Sequence, residues 1–274
     1  VLVHHLFDAG WSVPIRRTCE NIASLIPWMA LFFLPIAGLA PRLYAWMTSD
    51  PATDHALHAK APLFTTPGFY IASALVFGVL SFIALGLRKA SVAQDKDGAV
   101  RHTFTMRKFA YVGIFLFAFL VTLGVIMWMK ALQHQWFSTM YGVYYFAGSV
   151  WTTLATVYVI TMTLSHLNIL KSVLHKHQFY YLGGLFFAFT VFYAYVTFSQ
   201  YFIIWNANMP EETFWFLQRE NGTWFWWSMI IIFGHFFLPF LLLLRIDMKE
   251  SWKLMTFFAL WAWAMHFVDM VFNV

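Results

Sequence analysis

Long apolar runs separated by short polar stretches organise this chain. Seven runs are long and apolar, six of them without a charged residue and the last with Asp269 alone: Ile22–Leu39, Phe69–Leu87, Phe109–Met129, Tyr141–Leu164, Phe179–Trp205, Trp224–Leu244 and Leu254–Phe272. Each is close to the roughly 20 helical residues needed to cross a hydrocarbon core. The pattern predicts an all-α integral membrane protein, a polytopic helix bundle forming one transmembrane domain over residues 1–274. Pro27 and Pro35 predict a kink in the first run, because proline removes a helix donor and crowds the preceding turn, and no other run shows a matching break. The opening residues VLVHHLFDAGW lack the basic region and cleavage pattern of a signal peptide and read as the end of an earlier helix. The chain is therefore expected to be a fragment of a longer one.

Composition agrees with the pattern. Of 274 residues, 61% are hydrophobic and only 11% charged, against about 25% charged in an average soluble domain. Mean hydropathy is +0.66. The net charge of +5 comes from loop lysines and arginines, so it points to membrane topology and not to nucleic acid. Arg16, Arg17, Arg88, Lys89, Lys96, Arg101, Arg107, Lys108, Lys171, Lys176, Arg245, Lys249 and Lys253 fall on one side of the alternating runs. Arg42, Lys60, Lys130 and Arg219 fall on the other. Thirteen against four makes the first side cytoplasmic and places the loops near 40–67, 130–140 and 206–222, with the C-terminus, outside. Trp46, Trp136, Trp205 and Trp224 are then expected in the outer headgroup layer, where amphipathic rings are favoured.

Polar groups inside a bilayer are costly and need partners, so they are the candidates for chemistry. His235 lies mid-way along the sixth run. His266 and Asp269 share a face in the outer half of the seventh, Gln200 sits in the outer half of the fifth, and His166 closes the fourth at its cytoplasmic end. Ser149, Thr152, Thr153, Thr156 and Thr163 occupy one sector of the fourth helix, a stripe suited either to a file of waters or to gluing helices together. Glu20 lies one turn from Arg16 and Arg17, so it serves either a local ion pair or the inner end of a path. Ordered by depth, Glu20, His166, Thr156, His235, Gln200, His266 and Asp269 suit a proton relay, or else separate helix–helix hydrogen bonds. The single Cys19 excludes an internal disulfide and a cysteine-ligated cluster. No haem is expected, since His166, His235 and His266 lie at different depths. No metal is expected either: His4–His5 and His175–His177 lack a helical ligand spacing.

Three stretches resemble a known family. HHLFDAGWSVPIRRTCENIA resembles its Trp-then-Arg-Arg-x-x-Glu start of a helix. LQHQWFSTMYGVYYFAG (132–148) resembles a signature centred on W-F-S-T-M. TFSQYFIIWNANMPEETFWFLQRENGTW (197–224), continued by HFFLPFLLLL (235–244), resembles a pattern of F-S-Q, Trp-Asn, P-E-E, Arg and G-x-W. In this order they resemble the ActF-type membrane subunit of Alternative Complex III, a bacterial quinol:cytochrome c oxidoreductase of the NrfD/PsrC-like superfamily. The resemblance implies about ten helices, the first ones preceding this chain, and a place in the bacterial inner membrane. It implies a scaffolding subunit with a proton path and no redox cofactor of its own. The implied partners are an ActC-type membrane subunit, multihaem cytochrome c and iron–sulfur subunits on the periplasmic side, small membrane subunits and lipids. A terminal oxidase is a further candidate neighbour. Glu211, Glu212 and Arg219 become interface or helix-cap charges in the outer loop. One departure is that MWMKALQHQWFST carries Met127 and Lys130 where relatives have an acidic residue. Lys130, Gln133 and His134 are then substitutes or interfacial anchors.

Two other functions stay open. A quinone-binding redox subunit would grip the quinone with Glu20 and His166, or with His266 and Asp269. A proton-coupled secondary transporter would use the same buried groups, but such proteins pair their broken helices.

Overall fold

A computed structural model describes residues 1–170, 174 and 176–274. Lys171 and His175 lie outside the described residues, as does the side chain of Lys176. Among the described residues the fold is all helical, and seven helical spans are long and apolar enough to cross a membrane: Gly10–Leu43, Thr66–Asp97, Val100–Trp128, Tyr141–His166, His177–Ala207, Thr223–Leu243 and Trp252–Asn273. The protein is a multi-pass α-helical membrane protein. Large apolar side chains such as Phe82, Phe115, Phe198 and Phe267 face outwards along these spans, as they do where lipid is the solvent. The chain divides into two compact units, Val1–Gln135 and Trp136–Val274.

In the first unit a short helix α1 (Leu2–Phe7) precedes α2 (Val13–Ala23) and α3 (Ile26–Leu43). The expected kink falls at Ser24–Leu25, just ahead of Pro27, which occupies the first turn of α3, while Pro35 and Pro41 are carried within that helix. This is where proline's missing donor costs least. After α4 (His55–Lys60) come α5 (Thr66–Asp97) and α6 (Val100–Trp128), the most extensively paired helices of this unit. Gly98 ends α5 in the left-handed region (φ 64°), its N–H donating to the Gln94 carbonyl, a stop that a side chain would strain. The apolar interior gathers Tyr44, Trp46, Leu57, Phe64, Phe69 and Met127.

In the second unit α7 (Tyr141–His166) packs against both α8 (Lys176–Ala207) and α13 (Trp252–Asn273). Gly142, Ala147, Gly148 and Ala155 on α7 are buried, small side chains that let helices approach closely without a soluble core's driving force. The connections are α9 (Pro210–Arg219) and α12 (Ile246–Glu250). The sixth span contains an irregularity that the charge-free run did not reveal. It runs as α10 (Thr223–Ile230), a π turn (Ile231–Phe237) and α11 (Leu238–Leu243). The helix is widened there and stays continuous from Thr223 to Leu243.

The tryptophan expectation is corrected in part. Trp205 and Trp224 are exposed, but Trp46 and Trp136 are almost wholly buried. Connecting segments fold over those helix ends: Trp46 packs on Tyr44 and Phe64, and Trp136 stacks on Trp215 of α9 at 4.6 Å.

Candidate functional site

The second unit carries a row of buried polar side chains at the end where α7 begins and α13 finishes. Asp269 of α13 is 1% exposed. Its Oδ1 accepts the phenol proton of Tyr144 on α7. Asn273, one turn further along α13, donates through Nδ2 to the same Tyr144 oxygen at 2.8 Å and to the Asp269 carbonyl at 2.8 Å. Tyr193 of α8 places its hydroxyl 3.0 Å from that of Tyr144. A phenol offers one proton and two acceptor positions, so Tyr144 is fully used and joins three helices. The local sequence explains the convergence. Asp269 and Asn273 are spaced i, i+4, and Thr190, Tyr193, Thr197 and Gln200 recur at 3, 4 and 3 residues along one face of α8.

Deeper in the unit, His235 of the π turn is fully buried. Its ring lies 3.9 Å from that of Tyr193 and 4.0 Å from that of Trp151, near parallel to each. Two such neighbours fit only on opposite faces, so the imidazole is sandwiched between them. Neither of its nitrogens meets a partner among the described residues. Trp151 turns its indole N–H to α8, donating from Nε1 to Thr190 Oγ1 at 2.8 Å. His266 packs against Gly148: a Cβ there would stand 3.3 Å from His266 Cε1 and 3.7 Å from Tyr193 Cε2. Unpartnered polar atoms remain on His266 (Nδ1), Asp269 (Oδ2) and Gln200 (Oε1). Buried polar atoms without a partner are uncommon and each calls for an explanation. Asp269, His266, His235 and Gln200, all named by the sequence, thus lie in one unit, the first three around Tyr144, Tyr193 and Gly148.

Helix α9 covers the end of this row. Arg219 is 7% exposed; its guanidinium lies 3.8 Å over the Trp215 ring. It donates to the Phe272 carbonyl at 2.9 Å and the Trp215 carbonyl at 3.2 Å. The last carbonyls of α13 have no intrahelical donor, so Arg219 supplies one at the place where a cation is favoured. Burial pulls it down to about 10, which leaves it charged at neutral pH. Glu211 and Glu212 follow Pro210 in the first turn of α9, where carboxylates complement the helix dipole. Glu211 is exposed and Glu212 half-buried, and the Glu212 carbonyl accepts from Trp136 at 3.0 Å. Arg219 fastens the fold from within, whereas Glu211 alone of the three is open to an incoming partner.

The remaining candidates lie elsewhere. Glu20, in the first unit, is buried and paired with Arg17 at 2.9 Å and Arg16 at 3.5 Å, and Arg17 also binds Asp95. His166 is exposed at the end of α7, edge-on to Trp252 at 4.7 Å. Thr156 donates to the Thr152 carbonyl at 2.8 Å and accepts from Trp263 at 3.0 Å. Thr152, Thr153 and Thr163 likewise bond the carbonyl four residues back, the arrangement typical of hydroxyls inside a helix. His134 pairs with Asp54 at 2.6 Å, and Lys60 donates to the His134 carbonyl. Both contacts lie within the first unit. That bond, assisted by the Leu57 backbone, holds Asp54 below its ordinary value. Among the described residues no cluster of three His, Cys, Asp or Glu is placed to hold a metal ion.

Neither a scan against protein-family models nor a search of curated proteins returned a match to this chain. Sequence reasoning missed Tyr144, Tyr193, Asn273, Trp151 and Thr190. Counting charges treats tyrosine, tryptophan and threonine as membrane packing. The signal that could have found them was the i, i+4 step from Asp269 to Asn273, read together with the polar face of α8.

Proposed function

We propose that this chain is a membrane subunit of a bacterial respiratory quinol-oxidising complex, scaffolding the membrane arm and passing protons through its second unit, with no redox cofactor of its own. The observation that carries the reading is the buried row of Asn273, Asp269, Tyr144, Tyr193 and His235. Hydrogen bonds link a carboxyl group and two phenols, and an imidazole stacks on the last phenol, so that four groups able to exchange protons lie together on four helical segments. The family resemblance supplies the complex and its partners: the ActC-type subunit, and multihaem cytochrome c and iron–sulfur subunits on the periplasmic side. The loop charges supply the orientation, with the Arg/Lys-rich side cytoplasmic. On that orientation Asp269 faces the periplasmic half, and His235 is the deepest member of the row. The relay occupies the second unit, while Glu20 with Arg16 and Arg17 serves as a structural ion pair.

The test is substitution of Asp269→Asn and His235→Gln in the intact complex, reconstituted in vesicles, with quinol oxidation and proton release followed together. The reading expects proton release per quinol to fall while quinol oxidation persists. Normal proton release in both variants would sink it. A quinone-binding subunit would instead lose quinol oxidation, with an inhibitor or quinone bound beside His266. A transporter would use the same buried groups, but the π turn leaves the sixth span continuous and so pairs no broken helix with the first. Such a protein would purify alone, without haem-bearing partners.

A further inference from the structure

The π turn that holds His235 has a traceable cause. In this wider turn each backbone N–H reaches the carbonyl five residues back, and Leu238 N–H donates to the Phe233 carbonyl accordingly. The next bond in that series would run from residue 239 to the Gly234 carbonyl. Residue 239 is Pro239, which has no N–H, and its ring would also crowd the carbonyl of His235 in an ordinary α turn. The Gly234 carbonyl is nevertheless satisfied. Trp261, on α13, donates to it from Nε1 at 2.8 Å. Glycine eases that approach: a Cβ at 234 would come within 2.7 Å of Met265 Sδ, which would have to shift, and would touch the Trp261 ring at 3.4 Å.

We infer that Trp261 is a positioning residue for His235: its indole N–H replaces the donor that Pro239 lacks and holds the π turn that keeps the imidazole between Trp151 and Tyr193. The extra residue in a π turn changes helical register by about 100° per residue. Relaxation to a regular α turn would therefore swing His235 off the sandwich. Held there, both faces of the imidazole are covered and only its edge can exchange a proton. The use of that edge rests on the relay reading above; the positioning itself does not.

The experiment is magic-angle-spinning NMR of the full complex in membranes, labelled at histidine, with the His235 signals assigned by their loss in H235Q. In the wild type, two flanking ring currents should displace the His235 ring protons upfield. W261F, which keeps a ring but removes the donor, should abolish that displacement and slow proton release about tenfold. In a P239A background residue 239 can offer its own N–H to the Gly234 carbonyl, so P239A alone should keep the displaced signals and adding W261F should change neither signal nor rate; loss of the displaced signals in P239A alone overturns the inference. Unchanged His235 signals in W261F overturn the inference. So does an equal loss in both backgrounds, which would make indole bulk the cause. Should W261F fail to assemble, assembly of the P239A/W261F double variant supports the inference, and failure of both overturns it. Displaced signals with normal proton release uphold the positioning and sink the relay.

Discussion

The two units of this chain are built from similar helices yet bury different things. In the first, charges stay at helix ends: Arg17 with Glu20 and Asp95, Arg107 with Asp8, and Arg101 with Asp97. The helices between them close over an aliphatic and aromatic interior, and the buried Ser73 serves only to satisfy the Phe69 carbonyl and the Trp128 indole. In the second, His235, Thr190 and Gln200 are buried along the helices themselves, and Asp269 and Asn273 are buried in the last turn of α13. The fourth span has half of its most apolar stretch buried, the first span none. Ion pairs near water cost little and can serve as anchors. Polar groups deep in a helix bundle persist only where they are partnered or used. The comparison separates a unit whose ion pairs gather at helix ends from one that buries a row of polar side chains.

Four measurements would break or sharpen that contrast. The largest effect is expected at Asp269. D269N should slow proton release by about 100-fold, the usual scale for losing a proton-exchanging group, with thermal unfolding little changed. E20Q in the first unit should leave proton release untouched, and equal losses from both would dissolve the distinction. Next come the two glycines that admit a neighbouring side chain. G86A would bring a Cβ to 2.7 Å from the Phe109 ring, and G234A to 2.7 Å from Met265 Sδ. Overpacking of this kind costs about 1–3 kcal/mol, and thermal melts should show it for both. Only G234A should also impair proton release.

A smaller loss, about 1–2 kcal/mol by melting, is expected for R219A, which leaves the Phe272 carbonyl without its donor and the Trp215 face bare. Partial recovery in R219K would assign part of that to charge alone. The smallest effect belongs to the Asp54–His134 pair. Asp54 is held below its ordinary value of 3.8, chiefly by its bond to His134. A depressed carboxylate stabilises above the unfolded value and loses that contribution as pH falls through the folded one. Amide exchange in α4 should therefore quicken below about pH 4, and D54N should remove that pH dependence.

The membrane fold was legible because crossing a bilayer imposes length and polarity on each span, and both are read directly from composition. Helix ends were less so: α5 runs to Asp97, ten residues beyond its charge-free run, until Gly98 stops it. The site was half legible. Ionisable residues stand out against an apolar run, so Asp269, His266 and His235 were found. Their partners did not, since Tyr144 and Tyr193 resemble dozens of aromatic neighbours until tertiary packing selects them. Pro239 was visible all along, yet its consequence depends on Trp261, 22 residues away on another helix. Arg219, expected as an interface or helix-cap charge, does supply a donor to the end of α13, but its burial over Trp215 was not legible from a charge in a polar loop.

The arrangement at Tyr144 also sets a rule of traffic. Its oxygen accepts from Asn273, whose amide N–H can only give, and its single proton goes to Asp269. When Asp269 takes up a proton, its own hydroxyl must point back, and the Tyr144 proton has to turn towards Tyr193. A second proton can enter only after each hydroxyl has rotated home. If the row carries protons as proposed, it would pass them singly, with a compulsory pause between them, and Asn273 would act as the spring that returns it to the starting orientation.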